Sequence, residues 1–337
     1  MPNYSLPHIF VVSTTLIFVV LSLAIVSSAQ GQSLRWYKGN THTHTLNSDG
    51  DSPPEAVVKW YSDNRYNFLF ITDHEFLTPV EPLNQRFGRA GEFLVMQAQE
   101  VTDALNGKPI HVNGLGLSRV CMPAKGTTIP DNLQKNIDCI RAAGGVPQIN
   151  HPNFGWALSA RDIIATRNVM LLDIHNGHPL VNNIGGGGSP GTEAIWDEVL
   201  SSGRLIYGVA VDDSHFFKRL GDRSVPTPGQ AWVYVRASEL SQTAILAALE
   251  RGDFYASTGV ELNDIKFDGR SLTITIREEK ASKYTIQFIG GNGRVLTTVT
   301  TNPAVYSLRG NESYVRVKVV ESNGKIAWTQ PVFPKKK

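Results

Sequence analysis

The segment LRWYKGNTHTHTLNSDG, residues 34–50, decides how the rest of the chain is read. It starts as a strand and runs into His42 and His44, two positions apart. Side chains two apart on an extended chain point the same way, so both imidazoles can reach one cation. Asp49 follows in the turn SDGDS. The same arrangement, an apolar strand ending in a metal-competent side chain, recurs downstream. FLFITDH (68–74) ends in Asp73 and His74, and FLVMQAQE (93–100) ends in Glu100. PIHVNGLG (109–116) carries His111, and VPQINHP (146–152) carries His151. VMLLDIHNGH (169–178) carries His175 and His178, and LIYGVAVDDSH (205–215) ends in Asp212, Asp213 and His215.

Helical patterns separate these strands. SPPEAVVKWYSDNRY (52–66) predicts a helix with Ser52 as N-cap, Pro53 at the first position and Glu55 completing a capping box. Pro130 to Ala143 predicts another, closed by Gly144-Gly145. RDIIATR, TEAIWDEVLSSG and SELSQTAILAALERG predict three more. Strands and helices in alternation imply a largely parallel α/β domain, open or closed into a barrel. In a parallel barrel the C-terminal strand ends converge on one face, where loops build the active site. From about residue 259 the pattern changes. SLTITIREE, KYTIQFIGG, GRVLTTVTT, YVRVKVVES and KIAWTQPVF are short strands between turns, which predicts an antiparallel β-sandwich over 259–337. Its aromatic residues Tyr284, Phe288, Tyr306, Tyr314 and Trp328 mostly alternate like core positions.

The chain has 337 residues, and a hydrophobic content of 41% excludes wholesale disorder. A net charge of +2 excludes a strongly basic nucleic-acid coat and an acidic tail, though not a local basic groove. Ile9 to Val26 is a nearly continuous apolar run, and Ser27-Ser28-Ala29 has the small-x-small character of a signal-cleavage site. The expected organisation is an export signal over 1–29, the α/β domain over 30–258 and the β-module over 259–337. The mature chain is expected outside the cytoplasm, tethered to the membrane if the signal stays uncut. Cys121 and Cys139 are too few for a disulfide scaffold or a four-cysteine zinc site. They form one disulfide or remain two buried thiols; the sequence leaves both open.

Any metal is therefore held mainly by imidazoles and carboxylates. Those donors suit Zn²⁺, Mn²⁺ or Fe²⁺ at water-activating sites. The pool is His42, His44, Asp49, His74, Glu100, His111, His151, Asp213 and His215. One ion needs three or four protein ligands and keeps an open position, so this pool suits two or three ions. Clustered divalent ions acidify water and hold both the attacking and leaving oxygens of a phosphoryl group. Such a site favours an anionic phosphate ester.

In order, THTHTLNSDG, ITDH, the Glu of QAQE, the His of IHVNG, the His of INHP and the terminal DSH resemble the motifs of the polymerase-and-histidinol-phosphatase (PHP) superfamily of metal-dependent phosphoesterases. The resemblance implies a distorted (β/α)7 barrel with a di- or trinuclear centre. It implies a first metal on His42, His44, Glu100 and Asp213, with Glu100 bridging to a second on His111 and His151. A third would take Asp49, His74 and His215, and a bridging hydroxide would attack phosphorus. The expected catalytic set is His42, His44, Glu100, Asp213 and His215. Asp213 is preferred to Asp212 because the family pattern is Asp-x-His; Asp212 is expected to support the site or cap a loop.

For the substrate, Arg223 and Lys38 are candidate cationic partners, with Arg86, Arg89, Lys218 and Arg219 behind them. His175 and Asn176 are candidate substrate contacts, and His178 is read as a loop residue. The run IGGGGSPG (184–191) lacks the Gly-Lys-Ser/Thr of a P-loop and is expected to be a flexible loop that can border the pocket. The expected substrate is a small phosphorylated molecule or a short oligonucleotide. No stable nucleic-acid partner and no transmembrane domain in the mature chain are expected, and the oligomeric state stays open. Two alternatives remain: a metal-dependent hydrolase of an amide or ester bond, or a non-enzymatic protein binding glycan or a partner through the β-module.

Overall fold

Seven apolar runs fold as consecutive neighbours in one sheet: β1 (Arg35–Asn40), β2 (Phe68–Ile71), β3 (Leu94–Leu105), β4 (Lys108–Leu115), β5 (Val146–Ile149), β6 (Leu171–Asn176) and β7 (Tyr207–Val211). The structure is a computed structural model that describes residues 1–4 and 34–334. The expected signal from Ile9 to Ala29 and the terminal Lys335-Lys336-Lys337 lie outside the described residues. Among the described residues no helix is long and apolar enough to cross a membrane.

The strands pair in parallel from β1 to β3 and from β5 to β7. β4 runs antiparallel to both β3 and β5. A single parallel bridge between Thr43 and Ser214 links the chain just past β1 to the chain just past β7. Residues two apart then share the interior. Tyr37, Phe68, Phe70, Met96, Ala98, Leu115, Val146, Leu171, Tyr207, Val209 and Val211 pack into one buried cluster. The helix α6 (Gln242–Arg251) inserts Ile245, Ala248 and Leu249 into the same cluster.

A regular strand–helix repeat is not what forms. Asn106 and Gly107 both sit at positive φ, the geometry of a two-residue hairpin turn, so β3 folds directly back into β4 without a helix. The remaining connections carry α1 (Pro54–Asp63), α2 (Glu81–Phe87), α3 (Ile129–Ala142), α4 (Ala160–Ile164) and α5 (Thr192–Ser201). Ser52 does not cap α1. Pro53 occupies the cap, and the Ser52 hydroxyl donates to Asp51 instead.

After β7 come β8 (Trp232–Ala237) and β9 (Phe254–Ser257), then β10 (Leu262–Phe267), β11 (Ser271–Ile276), β12 (Tyr284–Gly290), β13 (Arg294–Val299), β14 (Ala304–Ser307), β15 (Arg316–Glu321) and β16 (Ile326–Thr329). β8 pairs antiparallel with β1, β9 with β8, and β16 with β9. The outcome is one 13-stranded sheet that runs from β7 through β1 and out to β13. A second sheet of β10, β11 and β14 contributes Leu272 and Ile274 to a core shared with Ile286, Phe288, Val317 and Val319. The two-layer character expected after residue 258 is present. Its strands are continuous with the preceding sheet, because the returning strand β16 completes the edge of β9. Cys121 and Cys139 form a disulfide, with Cα atoms 5.9 Å apart, that fastens the loop after β4 to α3.

Candidate metal centre

The period of two that fills the interior with apolar side chains also delivers the polar ones. Met96 and Ala98 are followed by Glu100, Leu115 is preceded by Asn113 and His111, and Val209 and Val211 are followed by Asp213. Apolar residues fill the lower ring, and the donors stand above them. His111 reaches this level because β4 is reversed, so its early residues lie beside the late residues of β3.

Glu100 sits at the middle. Its Oε2 lies 3.2 Å from His42 Nε2, 3.3 Å from His44 Nε2 and 3.4 Å from His74 Nδ1. Its Oε1 lies 3.1 Å from His111 Nδ1 and 3.3 Å from His151 Nε2. Asp213 Oδ1 is 3.2 Å from His42 Nε2 and 3.3 Å from His44 Nε2. Further out, Asp49 lies 3.4 Å from both His74 Nε2 and His215 Nε2, and 3.5 Å from His44 Nδ1. All nine side chains singled out as metal-competent therefore meet in one place. Their donor atoms form overlapping groups: His44, Asp49, His74 and His215; His42, His151 and Asp213; His42, His44 and Glu100; Glu100, His111 and His151.

The spacing fits shared cations better than simple ion pairs. Charged N–H···O hydrogen bonds run at about 2.7–2.9 Å, whereas donors on one tetrahedral ion with bonds of about 2.1 Å stand about 3.4 Å apart. His44 Nε2 lies 3.3 Å from both Glu100 and Asp213 yet is buried without a hydrogen-bond partner. A cation between the three would satisfy it.

The local charge balance points the same way. Burial opposes ionisation of Glu100, but the imidazoles of His42, His111 and His74 outweigh it and hold the carboxyl well below its ordinary range. Asp213 is held down likewise, burial being outweighed by His42, His44 and His215. Burial disfavours charge on His151, yet the Glu100, Asp213 and Asp173 carboxylates push it up to about 9. His44 is raised well above its ordinary value against the same burial, by Asp213 and Glu100. Burial prevails at His111, whose imidazole is lowered, but a field that retains protons on His44 and His151 is one that favours divalent cations.

Several residues brace this set. His215 Nδ1 lies 2.8 Å from the Asp213 carbonyl oxygen, which turns its Nε2 toward Asp49. Both His151 and Asp213 adopt positive φ, uncommon for residues with a side chain, and each thereby leaves its strand direction. Gly50 lets the SDGDS turn fold beneath His44: a Cβ there would stand 2.8 Å from the His44 carbonyl. Asp73 accepts from the Thr45 N–H at 2.7 Å and the Ser48 hydroxyl at 2.8 Å, and so shapes the same turn. Asp212 points away. It accepts from the Tyr61 hydroxyl and from the Gln230 and Ala231 N–H groups, anchoring the loop before β8.

A buried amide layer lies under the donors, and sequence reading passed over it. Asn150 Nδ2 donates to Glu100 Oε1 at 2.7 Å and to Asn113 at 2.8 Å. Gln148 accepts from Thr41 and donates to Asp173. Asp173 accepts from the His151 N–H, and burial pushes its carboxyl up to about 6. The available signal was an Asn, Gln or Asp within or directly after an otherwise apolar strand: Gln148, Asn150 and Asp173.

The substrate candidates fare differently. His175 does not face the centre. A bulge between Asp173 and His175 reverses the alternation, and the ring packs on Trp328 at 5.4 Å. Lys38 lies between the inward positions Tyr37 and Gly39, so its ammonium faces outward, 3.9 Å from the Tyr66 and Trp232 ring centres. Arg223 is exposed and does not line the cavity. Asn176 donates to Asp213 and Asp173, bracing a carboxylate of the cluster. His178, read as a loop residue, does enter the cavity. That cavity, of about 140 Å³, is lined by Asp49, His74, Glu100, His111, His151, Phe154, His178, Asp213 and His215. The Gly185–Gly188 run contributes nothing to this wall. Its flanks are tied back by Asn153, which donates to the Asn182 and Pro190 carbonyls.

No family model matches the chain. A two-domain protein from Bacteroides vulgatus, described as containing a predicted PHP-like metal-dependent phosphoesterase, superposes with a TM-score of 0.50 at 14% identity, over 89% of this chain and 96% of that one. A protein from Bifidobacterium adolescentis described as a metal-dependent phosphoesterase covers 56% of this chain and 89% of its own, at 14% identity and a TM-score of 0.37. The chain thus shares the fold of the Bacteroides vulgatus protein. In sequence, the 5'-3' exoribonuclease Rnm of Escherichia coli is 32% identical over 77 residues, 23% of this chain. The chain spans about a quarter of that relative, 26% of its length.

Proposed function

We propose that the chain is a metal-dependent phosphoesterase that hydrolyses a phosphate mono- or diester. One observation carries the proposal: nine metal-competent side chains converge, and five imidazoles meet the single carboxylate of Glu100. His42, His44, Glu100 and Asp213 would hold one ion, Glu100, His111 and His151 a second, and Asp49, His74 and His215 a third. The donor set has imidazole and carboxylate but no thiolate, which suits Zn²⁺, Mn²⁺ or Fe²⁺. Bound ions would supply an acidified water and positive charge for the phosphoryl oxygens.

The chain's own residues do the positioning. Glu100 spaces the inner groups by using both oxygens, and Asn150 holds that carboxylate in place. Asp49 is 55% exposed, so the outer group is the side from which an ester enters. Phe154 stacks edge-on over His151 at 5.2 Å and keeps water from one wall. Among the described residues no Lys or Arg lines the cavity, which leaves neutralisation of a phosphoryl group to cations held by the cluster. The small volume admits a phosphoryl group and leaves its ester substituent toward the opening. The Escherichia coli relative is an exoribonuclease, which supports including diesters and short oligonucleotides among the substrates. Export is proposed with it: the apolar run from Ile9 to Val26 and the Cys121–Cys139 disulfide both suit an oxidising compartment.

The test is elemental analysis of the purified protein followed by a panel of phosphate mono- and diesters, with chelator and with Zn²⁺, Mn²⁺ or Fe²⁺ restored. Two or three metal equivalents and chelator-sensitive phosphoester cleavage are expected. Metal-loaded protein that cleaves amides or carboxylic esters and no phosphoester would overturn it.

A further inference from the structure

Every imidazole in the cavity but one belongs to a group of donors that can share an ion; the exception is His178. Its place is set by several contacts. The His178 N–H donates to Asn176 Oδ1 at 2.8 Å, and Asn176 is the same residue that braces Asp213. The His178 carbonyl accepts from the Val181 N–H at 3.0 Å, closing a tight turn. The ring stands edge-on to Phe154 at 5.7 Å and to His215 at 5.8 Å. The Leu180 N–H donates to His178 Nδ1 at 3.1 Å. A ring nitrogen that accepts from a backbone N–H carries no proton, so the neutral ring bears its proton on Nε2. Nε2 makes no hydrogen bond with another described residue.

We propose that His178 is a substrate-binding residue, donating its Nε2–H to an oxygen of the phosphoryl group held in the cavity. The inference rests on the phosphoesterase function proposed above and adds to it the chain's own contact with substrate. It fills a specific gap. Phosphate sites ordinarily present Arg or Lys donors, and none lines this cavity among the described residues. A backbone-locked donor beside the cluster supplies direction without adding charge that would repel cations. His178→Phe keeps the ring volume and removes the donor, while His178→Gln restores an N–H at about the same reach.

The experiment compares wild type, His178→Phe and His178→Gln in their metal-loaded forms. Metal content is measured first, then affinity for inorganic phosphate by calorimetry, then kcat and KM on 4-nitrophenyl phosphate and bis(4-nitrophenyl) phosphate. The expected result is unchanged metal content in all three. Phosphate affinity and kcat/KM should fall about tenfold to a hundredfold in His178→Phe, the scale of one hydrogen bond to a charged group. Most of the loss should return in His178→Gln. Wild-type phosphate affinity in His178→Phe would overturn the assignment, and so would loss of metal in that variant, which would make His178 a ligand. If the wild type binds phosphate but cleaves neither ester, the phosphoesterase proposal fails on these probes and the calorimetric arm still decides His178.

Discussion

Replacing Glu100 by Gln tests the centre at its most connected point. The substitution keeps side-chain shape and the hydrogen bond from Asn150, and removes one negative charge from among five imidazole nitrogens. Glu100 belongs to two of the four donor groups, while the Asp49 group and the His42–His151–Asp213 group do not include it. The expected outcome is therefore loss of at least one metal equivalent rather than all of them. At an effective dielectric of about 20, one charge acting over about 4 Å is worth about 4 kcal/mol. That corresponds to about a thousandfold in affinity or rate. The assay is elemental analysis together with phosphoester turnover, with circular dichroism to confirm the fold. Wild-type metal content and wild-type turnover in Glu100→Gln would refute the idea that this carboxylate joins the inner groups.

Arg316 is buried, clasps Asp197 through two hydrogen bonds of 2.8 and 2.7 Å, and joins β15 to α5. Arg316→Ala strands a buried carboxylate and should cost about 3–5 kcal/mol in urea unfolding, whereas Arg316→Met with Asp197→Leu should recover most of it. Burial pulls His175 down to about 4, so the folded chain binds fewer protons there than the unfolded chain, whose imidazole titrates near its ordinary value. Its contribution is present above the unfolded value and is lost as pH falls from about 6.5 toward 4, about 3 kcal/mol across the window. His175→Phe should flatten that part of the stability profile measured between pH 7 and pH 4, and an unchanged profile would contradict the assignment. Reducing the Cys121–Cys139 bond, which spans a sequence separation of 18, should lower stability by about 3 kcal/mol through the entropy of the unfolded chain. A melting curve with and without reductant reads it.

Much of the centre was legible because its signals are local. A His or carboxylate at the end of an apolar strand announces itself by residue type, and the period of two says which neighbours share its side. The misplacements each trace to a feature that breaks local period. A bulge after Asp173 turns His175 out to Trp328. The Asn106-Gly107 turn was a readable hairpin signal, and it converts an expected parallel repeat into a reversed strand. The amide layer of Asn113, Gln148 and Asn150 was harder to find, since an amide within a strand is ambiguous until its partners are in place.

The amino-acid order by itself determined the inventory: which donors exist, that most of them stand at the ends of successive strands, and that cysteine takes no part among them. Those properties follow from side-chain chemistry and from backbone geometry a few residues long. Only the tertiary structure decided which oxygen faces which nitrogen, that β16 returns to the edge of β9, and that His178 rather than His175 stands beside the cluster. These depend on pairings between separate segments, such as Asn150 with Glu100, and register between them is set by packing that no local pattern encodes.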